Sequence, residues 1–314
     1  MQAPKSDQFS RFSFIVEIAT QMREAMLPYL DTSGMKETVR VAHSGDTTFG
    51  LDVVAEEALA RAVQNSGEKI ACYSEDKGLI QDTSNPEWLL VVDPIDGTRP
   101  LICGFEMGMI SIAVSPFSPT ATFSEIEAGI LLEIRTGDIY FGVKNQGVKI
   151  LSRAKKKLNP SMTTDFKKMF WSYDSVGRPS RWLFHYLGEM MDISGMEAAV
   201  FLFSNVTFSL TRILTGNLDA YVEIGGRILK DHPESKEEFL KIGNGRIMGT
   251  FPYDIAAAYL LLQEAHCPMT DAYGNSLEQI PLLNLEKSSQ ILSCVAAGNT
   301  TLHGKIIQSI NQEA

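Results

Sequence analysis

The sequence predicts a two-part fold, an α+β half followed by an α/β half, and three observations carry that prediction. A chain of 314 residues exceeds one ordinary domain and suggests about two. Residues 106–150 read as successive strands joined by short turns, and beyond residue 168 strands and helices alternate. With 44% hydrophobic and 21% charged residues the chain can bury a sizeable core, which argues against a disordered or fibrous protein.

Along the chain, Phe14, Ile15, Ile18, Met22 and Met26 recur at helical spacing between Phe9 and about Leu30, predicting an amphipathic helix that ends near Pro28. "LDVVAEEALARAVQNSG", from Leu51, predicts a second helix with Gly67 as its stop. "WLLVVDPIDGT", residues 88–98, runs from an apolar strand into two acids. Strands follow in "MGMISIAVSP" and "IEAGILLEIRTGDIYFGVKNQGVKI", where Thr136-Gly137 and Asn145-Gln146-Gly147 read as hairpin turns of a largely antiparallel sheet. The basic stretch "SRAKKKLNPSMTTDFKK" contains Pro160 and reads as a solvated linker, dividing residues 1–158 from 159–314. Beyond it come a strand in "MFWSYDSV", a helix in "RPSRWLFHYLGEMMDI", a helix in "NVTFSLTRILTG", a strand in "LDAYVEIG", a helix in "YDIAAAYLLLQEA" and a closing strand near "ILSCVAAG".

A formal net charge of −10 repels polyanions, and no Lys/Arg cluster is large enough for a nucleic-acid footprint, so nucleic acid is not an expected partner. Cys72, Cys103, Cys267 and Cys294 lack C-x-x-C or zinc-like spacing and read as free thiols of a reducing compartment. The five histidines show no metal-like spacing and read as structural or surface residues. The polar start "MQAPKSDQFS" lacks the pattern of a signal peptide, and no apolar run approaches a membrane span. The expectation is a cytoplasmic protein with no membrane partner.

The chemistry concentrates in "DPIDGT". Leu89 to Val92 is an apolar run typical of a buried strand, which places Asp93 at its carboxyl end, where open α/β sheets bind ligands. Pro94 bends the chain, so Asp96 can share an ion with Asp93. Gly97 permits a backbone conformation barred to other residues, and with Thr98 it can aim successive N–H groups at one spot to make an anion nest. Acids facing such a nest make chemical sense with a cation between them, because carboxylates alone repel a phosphate. An Asx-rich turn would use the same residues without chemistry. A haloacid-dehalogenase phosphatase has one residue between its acids where this chain has two, and an EF-hand needs alternating oxygen ligands and a late Glu, so both fit poorly.

These residues resemble the inositol monophosphatases, within the lithium-sensitive, magnesium-dependent sugar phosphatases. "DPIDGT" is identical to that family's first signature, and "YDIAAAYLLLQEAHCPMTDAYG" is similar to its second. "GDTTFGLDVVAEEAL", "YSEDKG" and "LTGNLDAYVEIG" resemble the family's acidic helix, its Gly-Glu-Glu element and the strand before the second signature, so the resemblance covers roughly residues 10–300. It implies a five-layer αβαβα sandwich, with most metal ligands in the first half and the last ligand and the substrate contacts in the second. It implies two to three Mg²⁺ ions: Glu75, Asp93 and the Ile95 carbonyl would hold one, Asp93, Asp96 and Asp254 a second, and Glu75 would touch a looser third. Thr98 with Asp52 would orient the attacking water beside Glu75, the Gly97 and Thr98 amides would cradle phosphate, and no phosphoenzyme is needed. Glu223 would accept hydrogen bonds from substrate hydroxyls, and Ser204, Asn205 and Val206 align loosely with a substrate loop. A homodimer and inhibition by Li⁺ are also implied.

Several of these residues have plainer readings. Glu75 would serve equally as a surface acid after a strand, Glu223 as an edge-strand acid, Asp52 as the N-cap of a helix beginning at Val53, and Asp254 as the cap of "DIAAAYLLLQEA". The chain also departs from the family pattern. His266-Cys267 stands where a glycine pair is usual, so a mildly strained left-handed turn is expected there. Arg99-Pro100 replaces the commoner Thr-Asn, and the segment between Glu223 and Asp254 is much longer than usual. The expected function is hydrolysis of a small phosphate monoester, inositol monophosphate first. Fructose 1,6-bisphosphate, 3′-phosphoadenosine 5′-phosphate and a non-catalytic regulatory role stand as alternatives.

Overall fold

The computed structural model describes residues 8–32, 36–41, 47–81, 83–283 and 291–313. The chain opens with α1 (Gln8–Arg11) and α2 (Ser13–Met26), and α2 buries the predicted stripe of Phe14, Ile15, Ile18, Met22 and Met26. A ribbon of β1 (Thr38–Val41) and β2 (Thr47–Phe49) leads into α3 (Gly50–Ser66), which stops at the left-handed Gly67, φ 70°. Gly45 and Asp46, the start of the acidic motif, lie outside the described residues.

The first sheet follows: β3 (Ile70–Ser74), β4 (Gly78–Gln81), β5 (Trp88–Asp96), then α4 (Thr98–Ile102), β6 (Met109–Pro116), β7 (Ala128–Glu133), β8 (Ile139–Val143) and β9 (Gly147–Leu151). Its seven strands lie in the order β4-β3-β5-β6-β7-β8-β9, antiparallel except for the β3–β5 pair. The second half contributes β10 (Phe170–Tyr173), α5 (Ser180–Ser194), β11 (Ala199–Phe201), α6 (Val206–Leu214), β12 (Ala220–Glu223), α7 (Gly225–Asp231), α8 (Lys236–Ile242), α9 (Pro252–Glu264), β13 (Met269–Thr270), β14 (Cys294–Ala297) and α10 (Thr300–Gln312). Five of these form a second sheet, β11-β10-β12-β14-β13, parallel from β11 to β12.

Packing gives the five-layer αβαβα sandwich. α2 and α3 cover one face of the first sheet, α6 and α9 lie between the sheets, and α5 and α10 cover the outer face of the second. α9 is apolar all round because it has no wet side: Ile255, Leu261 and Leu262 are 0% exposed, each contributing on the order of 2 kcal/mol by burial. Its close approach to β7 depends on Gly129, where a Cβ would come 3.0 Å from the Ala257 carbonyl oxygen. No helix among the described residues is long and apolar enough to cross a membrane, and none of the four cysteines forms a disulfide.

Two differences from the sequence reading stand out. The linker's charge is not wholly solvated: Lys156 Nζ lies 2.7 Å from Glu133 Oε1 and 2.9 Å from Asp138 Oδ2, because two buried acids there need a counter-charge. The strand near Cys294 does not close the fold; α10 follows it, burying Leu302, Ile306 and Ile310. The long segment after Glu223 folds into α7 and α8, with Ile228 and Phe239 fully buried.

The expected left-handed turn is present after α9, where His266 has a φ of 57° and is solvent-exposed. A β-carbon in that conformation costs about 1 kcal/mol relative to glycine. His266→Gly should therefore raise the melting temperature by roughly 1–3 °C in calorimetry. A fall would show that the histidine ring makes compensating contacts.

Candidate active site

The site begins with strand alternation. Along β5, Leu89 and Val91 face the core between the sheets, while Leu90 and Val92 face α2 and α3. Asp93 therefore falls on the inner face. Asp96 would ordinarily point the other way, three residues on. Its register corrects this: Asp93 pairs with Ser111 and Asp96 with Met109, so one extra residue of β5 is bulged out between them. Pro94, which has no N–H to lose, stands in the bulge. Both acids thus line one side of the same cleft. The parallel β3–β5 pair adds the third, because Ser74 pairs with Val92 and the next residue, Glu75, emerges at the same sheet end.

The fourth comes from the second half. Asp254 is the third residue of α9 rather than its N-cap, and its Oδ2 accepts from the Phe251 N–H at 2.6 Å. Asp52 has the same place in α3, which starts at Gly50 rather than Val53; its Oδ2 accepts from the Phe49 N–H at 2.7 Å. The other Asp52 oxygen accepts from Thr98 Oγ1 at 2.8 Å, so the expected Asp52–Thr98 pair is formed. Gly97 is left-handed at φ 84°, and a Cβ there would lie 2.1 Å from Asn205 Nδ2, so both conformation and space require glycine.

Asp93, Asp96, Glu75 and Asp254 line a cleft of about 110 Å³. Burial, followed by the charges of Glu75, Asp96 and Asp254, pushes the Asp93 carboxyl far above its ordinary range. Burial and Asp96 do the same to Asp254. Burial lifts Asp96 to about 6, although the Thr207 hydroxyl and amide, each 2.6 Å from its Oδ2, pull it back. Among the described residues no three His, Cys, Asp or Glu side chains converge closely enough to chelate one ion as they stand. The donor chemistry nonetheless fits a hard divalent cation: the donors are all oxygen, and their charge is costly to keep without a counter-ion. Closing on an ion asks for side-chain rotation, and Glu75 and Asp254 are the members not fully buried.

The second half supplies the rest of the cleft, partly as expected. Ser204, at φ 51°, and Val206 line it. Asn205 does not: it caps α6 through Phe208 N–H and donates to the Asp96 and Met107 carbonyls, holding the two halves together. Glu223 does not reach the cleft either. It is 0% exposed and paired to Arg178, with Oε2 2.6 Å from Nη2, because a carboxylate buried at the end of β12 needs a cation. Burial pushes Glu223 up to about 7 even so. Sequence reasoning missed Arg178, Asp174 and Thr207. Asp174 stands just beyond the carboxyl end of β10, as Asp93 stands near that of β5, and that position was the available signal. From the long segment, Met248, Gly249 and Thr250 line the cleft.

A sequence model described as the inositol monophosphatase family matches residues 8–314. The chain is 26% identical, over 98% of both lengths, to a protein of Methanothermobacter thermautotrophicus named fructose-1,6-bisphosphatase/inositol-1-monophosphatase. It is 22% identical to a bifunctional NADP phosphatase/NAD kinase of Methanococcus maripaludis, matching 93% of this chain and 48% of that one. Its fold is similar to the extragenic suppressor protein SuhB of Bartonella henselae, with TM-score 0.71 and 16% identity over 96% and 99% of the two chains. It is also similar to an inositol monophosphatase from Anabaena, with TM-score 0.66 and 14% identity over 98% and 97%.

The raised carboxyls give a sign to pH dependence. A buried acid whose folded pKa is raised contributes stability that is full below its unfolded pKa and lost as pH rises through the folded one. For Asp96 and Glu223 that loss falls near pH 6 and 7. In chelator the melting temperature should therefore fall between pH 5.5 and 7.5, and a divalent cation should restore, at the upper end, the share lost through the cleft acids. A chelated protein equally or more stable at pH 7.5 would contradict the electrostatic account.

Proposed function

The chain belongs to the inositol monophosphatase family and is a phosphoric monoester hydrolase, and on that premise we propose that it hydrolyses a small-molecule phosphate monoester using Mg²⁺ and water, without a phosphoenzyme. What carries the reading is the placement of Asp93 and Asp96 on one face of β5, immediately before the left-handed Gly97 and the Asp52-bonded Thr98. Inositol monophosphate is the first substrate in this reading. The relatives' names leave a second class, in which the substrate carries further phosphate, as fructose 1,6-bisphosphate and NADP do.

Glu75, Asp93 and the Ile95 carbonyl would hold one ion, and Asp93, Asp96 and Asp254 another. Mg²⁺ when bound supplies Lewis acidity that makes hydroxide available near neutral pH and offsets charge on the leaving oxygen. The protein's own contribution is orientation. Thr98 Oγ1 donates its one proton toward Asp52 Oδ1, with the Ile95 carbonyl a second acceptor at 3.1 Å, which leaves the hydroxyl's lone pairs to accept a proton from water. A water so held attacks phosphorus, the ester P–O bond breaks, and the departing alkoxide takes a proton from solvent. Asp52 then carries the proton relayed through Thr98. The Gly97 and Thr98 amides would receive the phosphate.

Phosphate release from a panel of small monoesters should vanish in EDTA and return with Mg²⁺, and millimolar Li⁺ should inhibit it. Full activity in chelator would end the metal reading. Asp254→Asn separates catalysis from capping, since the amide oxygen can still accept from Phe251. It should melt within a few degrees of wild type while turnover falls at least roughly 10²-fold, a barrier increase of about 2.7 kcal/mol. Near-normal turnover at saturating Mg²⁺ would reduce Asp254 to a structural acid.

A further inference from the structure

Glu75 reaches the cleft from a short turn. Ser74 pairs with Gly78, so Glu75, Asp76 and Lys77 make a three-residue connection between β3 and β4. A hairpin of this kind fixes the strands it joins, while the placing of its central side chains falls to whatever packs against them.

Here that contact is Glu56. It lies four residues after Asp52 in α3, so the two acids stack on one face of the helix, and both line the cleft. The residue is 2% exposed. Its carboxylate accepts from the Ser74 hydroxyl and the Asp76 N–H, and Lys77 Nζ lies 3.6 Å from its Oε2. Lys77 also donates to the Glu56 carbonyl at 3.4 Å, and Thr48 Oγ1 donates to the Asp76 carboxylate at 3.0 Å. Residues 74, 76 and 77 are thus each tied to Glu56, and Glu75 stands among them.

An acid at this place is not explained by the packing of α3, whose other buried residues are leucine and alanine. Burial pushes the Glu56 carboxyl above its ordinary range, Ser74 and Lys77 draw it back, and Oε1 has no hydrogen-bond partner. What the acid does accomplish is to gather the turn. One face of α3 therefore carries both Asp52, bonded to Thr98, and the residue that holds the turn bearing Glu75.

We propose that Glu56 is a positioning residue for Glu75: by holding the turn at 74–77 it fixes where the Glu75 carboxylate stands, and so sets how tightly the ion that Glu75 would share is bound. This rests on the metal reading of the cleft and adds to it a residue that acts through its neighbours.

The test is binding of Mn²⁺, which like Mg²⁺ prefers oxygen ligands, with the unbound ion read by electron paramagnetic resonance. Glu75→Gln marks which bound ion depends on Glu75. Glu56→Ala should weaken that same ion at least about tenfold. Glu56→Gln should stay within about threefold of wild type, because it keeps a carbonyl oxygen for Ser74 and Asp76 and can set its amide where Oε1 has no partner. Ser74→Ala, which changes no charge, should weaken the ion at least about threefold, and adding it to Glu56→Ala should cost no more than about twofold further. Unchanged affinity in Glu56→Ala with a lowered melting temperature would make the residue merely structural, and equal losses in the Ala and Gln variants would make it a charge acting on the ion directly; either overturns the proposal. If Glu56→Ala does not fold, Ser74→Ala decides, and unchanged affinity there overturns it. Wild type that binds no Mn²⁺ would overturn the metal reading and this proposal with it, whereas wild type and variants that bind alike overturn the proposal alone.

Discussion

Four carboxylates gathered in one poorly solvated cleft constrain everything around them. Two like charges 4 Å apart repel by about 4 kcal/mol at an effective dielectric of about 20, and folding alone does not relieve this. The chain holds them by fixing one oxygen of three of the acids to backbone amides: Asp93 to the Ile95 N–H, Asp96 to Thr207, Asp254 to Phe251. The local irregularities serve the same end. The bulge between Asp93 and Asp96 turns an acid inward, the left-handed Gly97 turns the chain away, and Ser204 at φ 51° brings a loop of the second half to the cleft. These three departures from ideal geometry sit where the cleft is built.

What was legible in the sequence is what depends on neighbours along the chain. The stripe of α2, the Gly67 stop of α3, the strand before Asp93 and the turn at His266 follow from periodicity and backbone conformation, and all are present. The bulge was half legible: Pro94 announced a bend, while its effect on which way Asp96 points depends on the partner strand. Contacts across long separations were hidden. Arg178 and Glu223 are 45 residues apart, so neither announces the other, and Glu223 read alone looks like a substrate contact. Asn205 looked like part of a substrate loop because nothing local reveals that its amide is committed to two carbonyls of the other half. α10 could have been found, since Asn299 caps it and Leu302, Ile306 and Ile310 mark one face.

The wall opposite the acids shows a different solution to buried charge. Glu223 and Arg178 are both nearly inaccessible, and taking two ions out of water costs several kcal/mol each unless geometry and further hydrogen bonds offset it. Here Thr250, the Val176 carbonyl and the Gly225 N–H complete the set. Such a fully satisfied network is rigid. It fixes the wall through Thr250, a residue of the long segment that reaches the cleft, so that segment is anchored to the second sheet at the place where it lines the cleft.

The hydrogen bonds from Thr207 to Asp96 span 111 residues of sequence, and that span has a meaning in time. A ribosome adds roughly 5–20 residues each second. For roughly 5–20 seconds after Asp96 leaves the peptidyl-transferase centre, the residue that will hold it has not been made, although the strands needed for the first sheet are complete well before then. The nascent sheet emerges carrying inward-facing acids with no donor from α6 and no α9 to cover them. During translation that face must stay wet. The cleft is thus completed late, and a chain released before residue 207 lacks both the Thr207 donors and Asp254.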